Sequence, residues 1–309
     1  APPCSGPGPR ATMDPMHILV TNDDGISSPG LSVLAQAALD RGHSVKVAAP
    51  AEEYSGASSS LSGEEIDGRI ALVPADPPRM PEGVECVGVR AAPALIAFLA
   101  SYGAFGQRPD MILSGVNLGA NTGKATLHSG TVGAVLTGAS HGIPGIAVSI
   151  TSGAPQHWDT ALLVTRYALE RWEQRPFDEW ILNVNVPDVS PDRLRGLKPA
   201  RLASFGAVQA QIGRGDEKHI AVTYSAETGP EEPESDHYLL THGWATATLL
   251  RAPVDDPTQD THAVPRQELG IAGPTPFWDV TLPGLTDDDA AAPGPGDVTV
   301  DSATVMRRT

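Results

Sequence analysis

An apolar run, "HILVTN" (His17 to Asn22), is followed by "SSPGLSVLAQAALDRG" and then by a second apolar run, "SVKVAAP" (Ser44 to Pro50). The middle segment places Leu31, Leu34, Ala35, Ala38 and Leu39 at i, i+3, i+4, i+7 and i+8, one apolar stripe at helical spacing. Ser28 suits an N-cap, Pro29 the first turn and Gly42 the stop. Strand, helix and strand within about 35 residues form a right-handed βαβ crossover with parallel pairing. That unit limits the chain more than any other feature, because parallel pairing commits it to an α/β architecture.

The alternation continues. "IALVP" and "ECVGV" read as strands, "PALIAFLASYG" as a helix and "DMILSGVN" (Asp110 to Asn117) as a strand with a polar end. "NLGANTGKATLHSG" reads as a loop and "TVGAVLTGASHG" as a short helix with Val132, Val135, Leu136 and Ala139 on one face. "PGIAVSI", "HWDTALLVTRYALERWEQ" and "EWILNVNVP" then give strand, helix and strand. A doubly wound α/β sheet is the expectation. From about Gly196 the pattern changes. "KHIAVTYSAE" and "GWATATLLRAP" read as strands around the acidic, turn-rich "TGPEEPESD", either a β extension or an excursion from the main sheet. Beyond Pro253 the chain is rich in Pro, Asp, Ala and Gly, and a mobile tail over 253–309 is expected. The leader, residues 1–15, has no apolar core of a signal peptide and is expected to be disordered.

The 309 residues carry 37 acids against 21 Lys and Arg, a formal charge of −16. Such a field argues against duplex nucleic acid and anionic membrane as partners, yet leaves a small anionic substrate open. No apolar run is long enough to span a bilayer. Two cysteines, Cys4 and Cys86, give no metal spacing, and a reducing, cytoplasmic setting fits best.

Ligands of open parallel sheets bind beyond the carboxyl ends of the strands. "NDDG" follows the first strand, "YSGAS" the second and "SGVNLGAN" a later one, so all three should open on one edge. They offer the carboxylates of Asp23 and Asp24, the hydroxyl of Ser55 and the amide oxygen of Asn117. These are hard oxygen donors, suited to Mg²⁺, Mn²⁺ or Ca²⁺. Two ionised carboxylates forced together repel, and a divalent cation removes that penalty. Gly25 lets the chain turn sharply, so that both acids could face one cation. Taken singly, an Asp pair at a strand end is more often a turn former, and Ser55 or Asn117 an ordinary loop residue.

"NTGKATLHSGTVGAVLTG" is a Gly-rich loop entering a helix, which makes an anion site from free N–H groups and the helix dipole. Ser129 and Thr131 add hydroxyls, Gly130 allows close approach and Asn121 adds an amide donor. The plainer alternative is a Ser/Thr helix cap. Cation and anion cradle together suggest a phosphate ester, with His128 a candidate proton donor to the leaving alkoxide.

"ILVTNDDGISSPGLSVLA", "VAAPAEEYSGASSSLS", "RPDMILSGVNLGANTG", "HSGTVGAVLTGASHGIPGIAVS" and "ILNVNVP" resemble the SurE family of survival-protein nucleotidases, in order and over Met16 to Ala252. The resemblance implies a Rossmann-like three-layer fold with a mainly parallel sheet. It adds a β-rich extension, about 196–250 here, used to build a homodimer or homotetramer. It implies a metal-dependent phosphatase acting on nucleoside monophosphates, with one divalent cation per subunit. The implied metal ligands are Asp23, Asp24, Ser55 and Asn117, with Asp23 also positioning water. Asn22, Asn121, Ser129, Gly130 and Thr131 are implied near the phosphate. Lys124, Ala125, His128, Thr137 and Tyr54 depart from the family pattern, which bears on the choice of ester more than on the chemistry. A member turned to a specialised metabolite, or one that binds without turnover, is the alternative. A receiver domain is disfavoured, since the later strand ends in Asn117 rather than a phosphorylatable Asp.

Overall fold

The computed structural model describes residues 14–174, 180–204, 209–213, 221–225 and 231–253. The leader up to residue 13, the tail from 254 and parts of the 196–250 region lie outside the described residues. All described residues belong to one unit.

The strands are β1 (His17–Thr21), β2 (Ser44–Pro50), β3 (Glu65–Ile66), β4 (Arg69–Ile70), β5 (Leu72–Pro74), β6 (Glu85–Val89), β7 (Met111–Leu118), β8 (Gly145–Ile150), β9 (Trp180–Val186), β10 (Leu197–Pro199), β11 (Gln209–Gly213), β12 (Ala221–Ser225) and β13 (Ala245–Arg251). The helices are α1 (Gly30–Leu39), α2 (Pro93–Ser101), α3 (Gly130–Ser140), α4 (Trp158–Gln174) and α5 (Asp236–Thr241). Nine strands form one sheet in the order β10-β13-β9-β8-β7-β1-β2-β6-β5. The six from β9 to β6 run parallel, as the βαβ reading requires. Helices α1 and α4 cover one face over Val20, Leu113 and Val184, and α2 and α3 cover the other over Leu19, Ile112 and Ala147.

This is the expected three-layer α/β fold. The strand order reverses between β1 and β7, because α1 carries the chain outward on one face and α2 brings it back on the other. A doubly wound sheet opens its crevice at such a switch point. The carboxyl end of β1 leads to "NDDG" and that of β7 holds Asn117, so two of the three predicted segments flank it.

Several local expectations change. Helix α1 begins at Gly30, one residue after Pro29, and the Ser28 hydroxyl accepts from Gly30 N at 3.4 Å. Gly30 packs against β7 so closely that a Cβ would sit 2.3 Å from the Val116 carbonyl oxygen. The loop before α3 contains a 3-10 helix, Lys124–His128. Strands β10 and β13 extend the main sheet, and β11 and β12 form a separate antiparallel pair. Between the turn-rich "TGPEEPESD" and the strand "GWATATLLRAP", α5 forms, capped by Ser235 Oγ on Tyr238 N. Among the described residues, no helix is long and apolar enough to cross a membrane.

Candidate active site

β1 stops at Thr21, and the two acids after it diverge. Asp23 is buried and reaches the start of α3, where Thr131 Oγ1 donates to its Oδ1. The backbone N–H groups of Gly130 and Thr131 also support it. Helix α3 thus turns its amide end toward a carboxylate of the chain itself, the arrangement a helix dipole favours. Contact is close enough that a Cβ on Gly130 would lie 2.9 Å from Asp23 Cβ and 2.9 Å from Oδ2. Asp24 is half-buried and turns toward β7, its Oδ2 accepting from Leu118 N at 3.3 Å. Gly25, at φ +91°, makes the turn that a residue with a side chain would resist.

Burial raises the Asp23 carboxyl above the ordinary range, against the opposing hydrogen bonds from Thr131 and the backbone. Burial is also the chief cause for Asp24, pushed up to about 7, with the negative charges of Asp23 and Glu53 adding to it. Among the described residues, no Lys, Arg or His forms an ion pair with either acid. An uncompensated pair of this kind suits a divalent cation, which would restore both to the ionised form.

The neutral oxygens are distributed less simply. Asn117 Nδ2 donates to the Gly119 carbonyl at 2.7 Å, which leaves Oδ1 as the atom that could ligate a cation. Asn22 Nδ2 donates to the Gly25 carbonyl at 2.9 Å, and its buried Oδ1 has no partner. Ser55 is exposed, and its hydroxyl donates to Glu53 Oε1 at 2.6 Å. Its loop is nonetheless drawn to the site through Tyr54 N, which donates to the Asp23 carbonyl at 2.8 Å. No cluster of three His, Cys, Asp or Glu side chains forms a metal centre among the described residues. A cation here would therefore combine two carboxylates with neutral oxygens, a donor set that fits a hard ion.

The predicted cradle residues separate by role. Ser129 caps α3, its Oγ accepting from Val132 N at 3.1 Å. Thr131 and Gly130 serve Asp23, as above. Asn121 is buried, its Nδ2 donating to Ser149 Oγ at 2.9 Å. His128 ends the 3-10 helix with its side chain exposed, and its carbonyl accepts from Ser58 N. Lys124 is also exposed, and the smaller Ala125 is partly so. Sequence reasoning missed Glu53, a third acid whose charge acts on Asp24. It also missed the amide-rich support behind Asn121, formed by Ser149, Asn183 and Asn185. The signal was there in "ILNVNVP", where two amides alternate through an apolar strand and so face one side.

The sequence model of the survival protein SurE family matches residues 18–207. A 5′-nucleotidase SurE of Methylococcus capsulatus is 36% identical over 240 residues, covering 76% of this chain and 91% of its own. One from Halorhodospira halophila is 35% identical over 241 residues, covering 76% of this chain and 92% of its own. The crystal structure of the SurE protein from Aquifex aeolicus superposes with a TM-score of 0.66 at 24% identity, over 78% of this chain and 95% of that one, and supports the fold. The switch-point site, the matched family model and relatives spanning nearly their whole length agree: this chain belongs to the SurE family.

Proposed function

We propose that the protein is a phosphomonoesterase that hydrolyses nucleoside monophosphates or a closely related small phosphate ester with the help of one divalent cation. The observation that carries this reading is the pair of buried acids, Asp23 and Asp24, at the switch point with no basic partner among the described residues. The name 5′-nucleotidase borne by the relatives supports the choice of ester.

Asp23, Asp24 and the Oδ1 of Asn117 would hold the cation, with Ser55 joining if its loop turns the hydroxyl inward from Glu53. A bound Mg²⁺, Mn²⁺ or Ca²⁺ supplies Lewis acidity toward a phosphoryl oxygen and makes water a stronger acid. The chain's own residues set the geometry. Thr131 and the α3 amides fix Asp23 in one orientation and hold its charge where it is needed. Leu118 N does the same for Asp24. The Oδ1 of Asn22, next to Asp23 in the chain, is buried without a partner among the described residues, an acceptor that a water admitted with the cation would satisfy. Exposed His128 and Lys124 stand on the segment leading to α3, where they would meet the alcohol half of the ester or its leaving oxygen.

The reading includes a reducing, cytoplasmic setting, which the free thiol of Cys86 suits. A homodimer or homotetramer belongs to it on the family likeness. The test is phosphate release from a panel of 5′- and 3′-nucleoside monophosphates and non-nucleotide esters with Mn²⁺ or Mg²⁺. Turnover of at least one member is expected, and none across the panel would defeat the reading.

A further inference from the structure

Asn183 and Asn185 lie two apart on β9, so both face the same side of the sheet. That side carries Ile181, which packs with Ile112, Val132 and Val135, and, in register beside the asparagines, the buried hydroxyls of Ser149 on β8 and of Thr246 and Thr248 on β13. Both asparagines are fully buried. A buried amide costs free energy unless it is bonded, so where these bonds go is informative.

They converge on one residue. Asn185 Oδ1 accepts from Asn121 N at 2.7 Å, and Asn185 Nδ2 donates to the Asn121 carbonyl at 3.0 Å. Asn183 Nδ2 donates to the same carbonyl at 2.9 Å. The side chain of Asn121 then donates to Ser149 Oγ at 2.9 Å, and Ser149 is the β8 residue in register with Asn185. Asn183 Oδ1 is left buried with no partner. Across the sheet from it, the Thr248 hydroxyl on β13 is likewise buried without a partner.

Asn121 sits between two parts of the site. Four residues before it is Asn117, and nine and ten after it are Gly130 and Thr131, which meet Asp23. The connecting segment passes through Gly119 and Gly123, both at positive φ, so its own backbone preferences fix little. It is fastened at three alternate points instead: Gly119 N to the Ile150 carbonyl at 2.9 Å, Asn121 to Asn185, and Gly123 N to Asp236 Oδ2 at 2.9 Å. The middle fastening is the only one of the three that grips a residue's N–H and carbonyl together.

We propose that Asn185, assisted by Asn183 and Ser149, is a positioning residue. It clamps the backbone of Asn121 and thereby sets the distance between the β7 end of the site and the α3 start that orients Asp23. The kinetic consequence rests on the phosphomonoesterase reading, whereas the consequence for the loop does not.

The test uses Asn185→Asp, Asn183→Ser and Ser149→Ala in the full chain. Asn185→Asp keeps the size and the acceptor for Asn121 N, but sets an oxygen against the Asn121 carbonyl. Three quantities are read: the melting temperature, amide hydrogen exchange over residues 119–131, and kcat and KM on the best ester of the panel, with inorganic phosphate as competitive inhibitor. Asn185→Asp should lower kcat/KM about tenfold or more and weaken phosphate inhibition, at temperatures well below melting. It should speed exchange over 119–131 while β1 and β7 keep their protection. Ser149→Ala should move each readout the same way by a few-fold. Unchanged kcat/KM with only a lower melting temperature would overturn the proposal, leaving a structural role. If the wild type turns over no ester, the functional reading fails by itself. Exchange then decides the clamp, and unchanged protection over 119–131 would sink it. Should Asn185→Asp not fold, Asn183→Ser and Ser149→Ala are judged by the same criteria.

Discussion

Asp24→Asn should make the metal-free protein more stable at alkaline pH while removing its chemistry. The Asp24 carboxyl is held at about 7, against 3.8 for the unperturbed side chain, chiefly because it is buried and then because Asp23 and Glu53 are negative. The fold thus favours the neutral acid. Without a divalent cation, the folded form binds more protons than the unfolded chain between those two values. Stability is then full at low pH and falls as pH rises through about 7. Moving one carboxyl from 3.8 to about 7 corresponds to ~4 kcal/mol. Asp24 is only half-buried, so screening by solvent brings the expected effect to ~2 kcal/mol. For a domain of this size that is about 4–8 °C in Tm. Thermal melts in EDTA at about pH 5 and about pH 8, for wild type and Asp24→Asn, read roughly the upper two thirds of it. The wild type should lose stability on going to the higher pH, and Asn should recover most of the loss. Mn²⁺ should raise the Tm of the wild type far more than that of the variant. Wild-type melts that do not change with pH, or a variant less stable than wild type at about pH 8, would refute the electrostatic argument.

Gly130→Ala should cost about 1–3 kcal/mol and most of the activity, since its Cβ would press on Asp23 at 2.9 Å; denaturant unfolding and steady-state rates report it. Thr131→Val removes the hydroxyl that donates to Asp23, so its carboxyl should rise further and Mn²⁺ affinity should fall, by calorimetric titration, several-fold. Glu53→Gln removes one of the negative charges that raise Asp24, so the pH-dependent loss of stability in EDTA should be smaller and complete at lower pH.

The parallel core of the fold was legible because apolar runs and a helical stripe alternate at lengths that admit only a crossover, as in His17 to Pro50. The site's location followed from the same logic, since "NDDG" and Asn117 fall at strand ends that a parallel sheet must bring to one edge. What each side chain does there was less legible. Thr131 and Gly130 read as a cradle for a foreign anion, and in the structure they hold Asp23, a choice fixed only by how α3 meets β1. Asn121 read as a donor to substrate, yet the side chains that take it up lie 28 to 64 residues further on. At the start of α1 the Ser28 hydroxyl does accept from Gly30 N, whereas the close fit of Gly30 on Val116 depends on how the helix meets β7, which local pattern does not contain. The placement of β13 between β9 and β10 depends on pairing across the sheet, which no short window of sequence contains.

The most direct measurement is phosphate release from nucleoside 5′-monophosphates by the wild type and by Asp24→Ala, each with Mn²⁺ or Mg²⁺ and again in EDTA. The account predicts cation-dependent release by the wild type, lost in EDTA, and release by Asp24→Ala lower by several orders of magnitude. Equal rates with and without the cation, or an Asp24→Ala protein as active as the wild type, would contradict it.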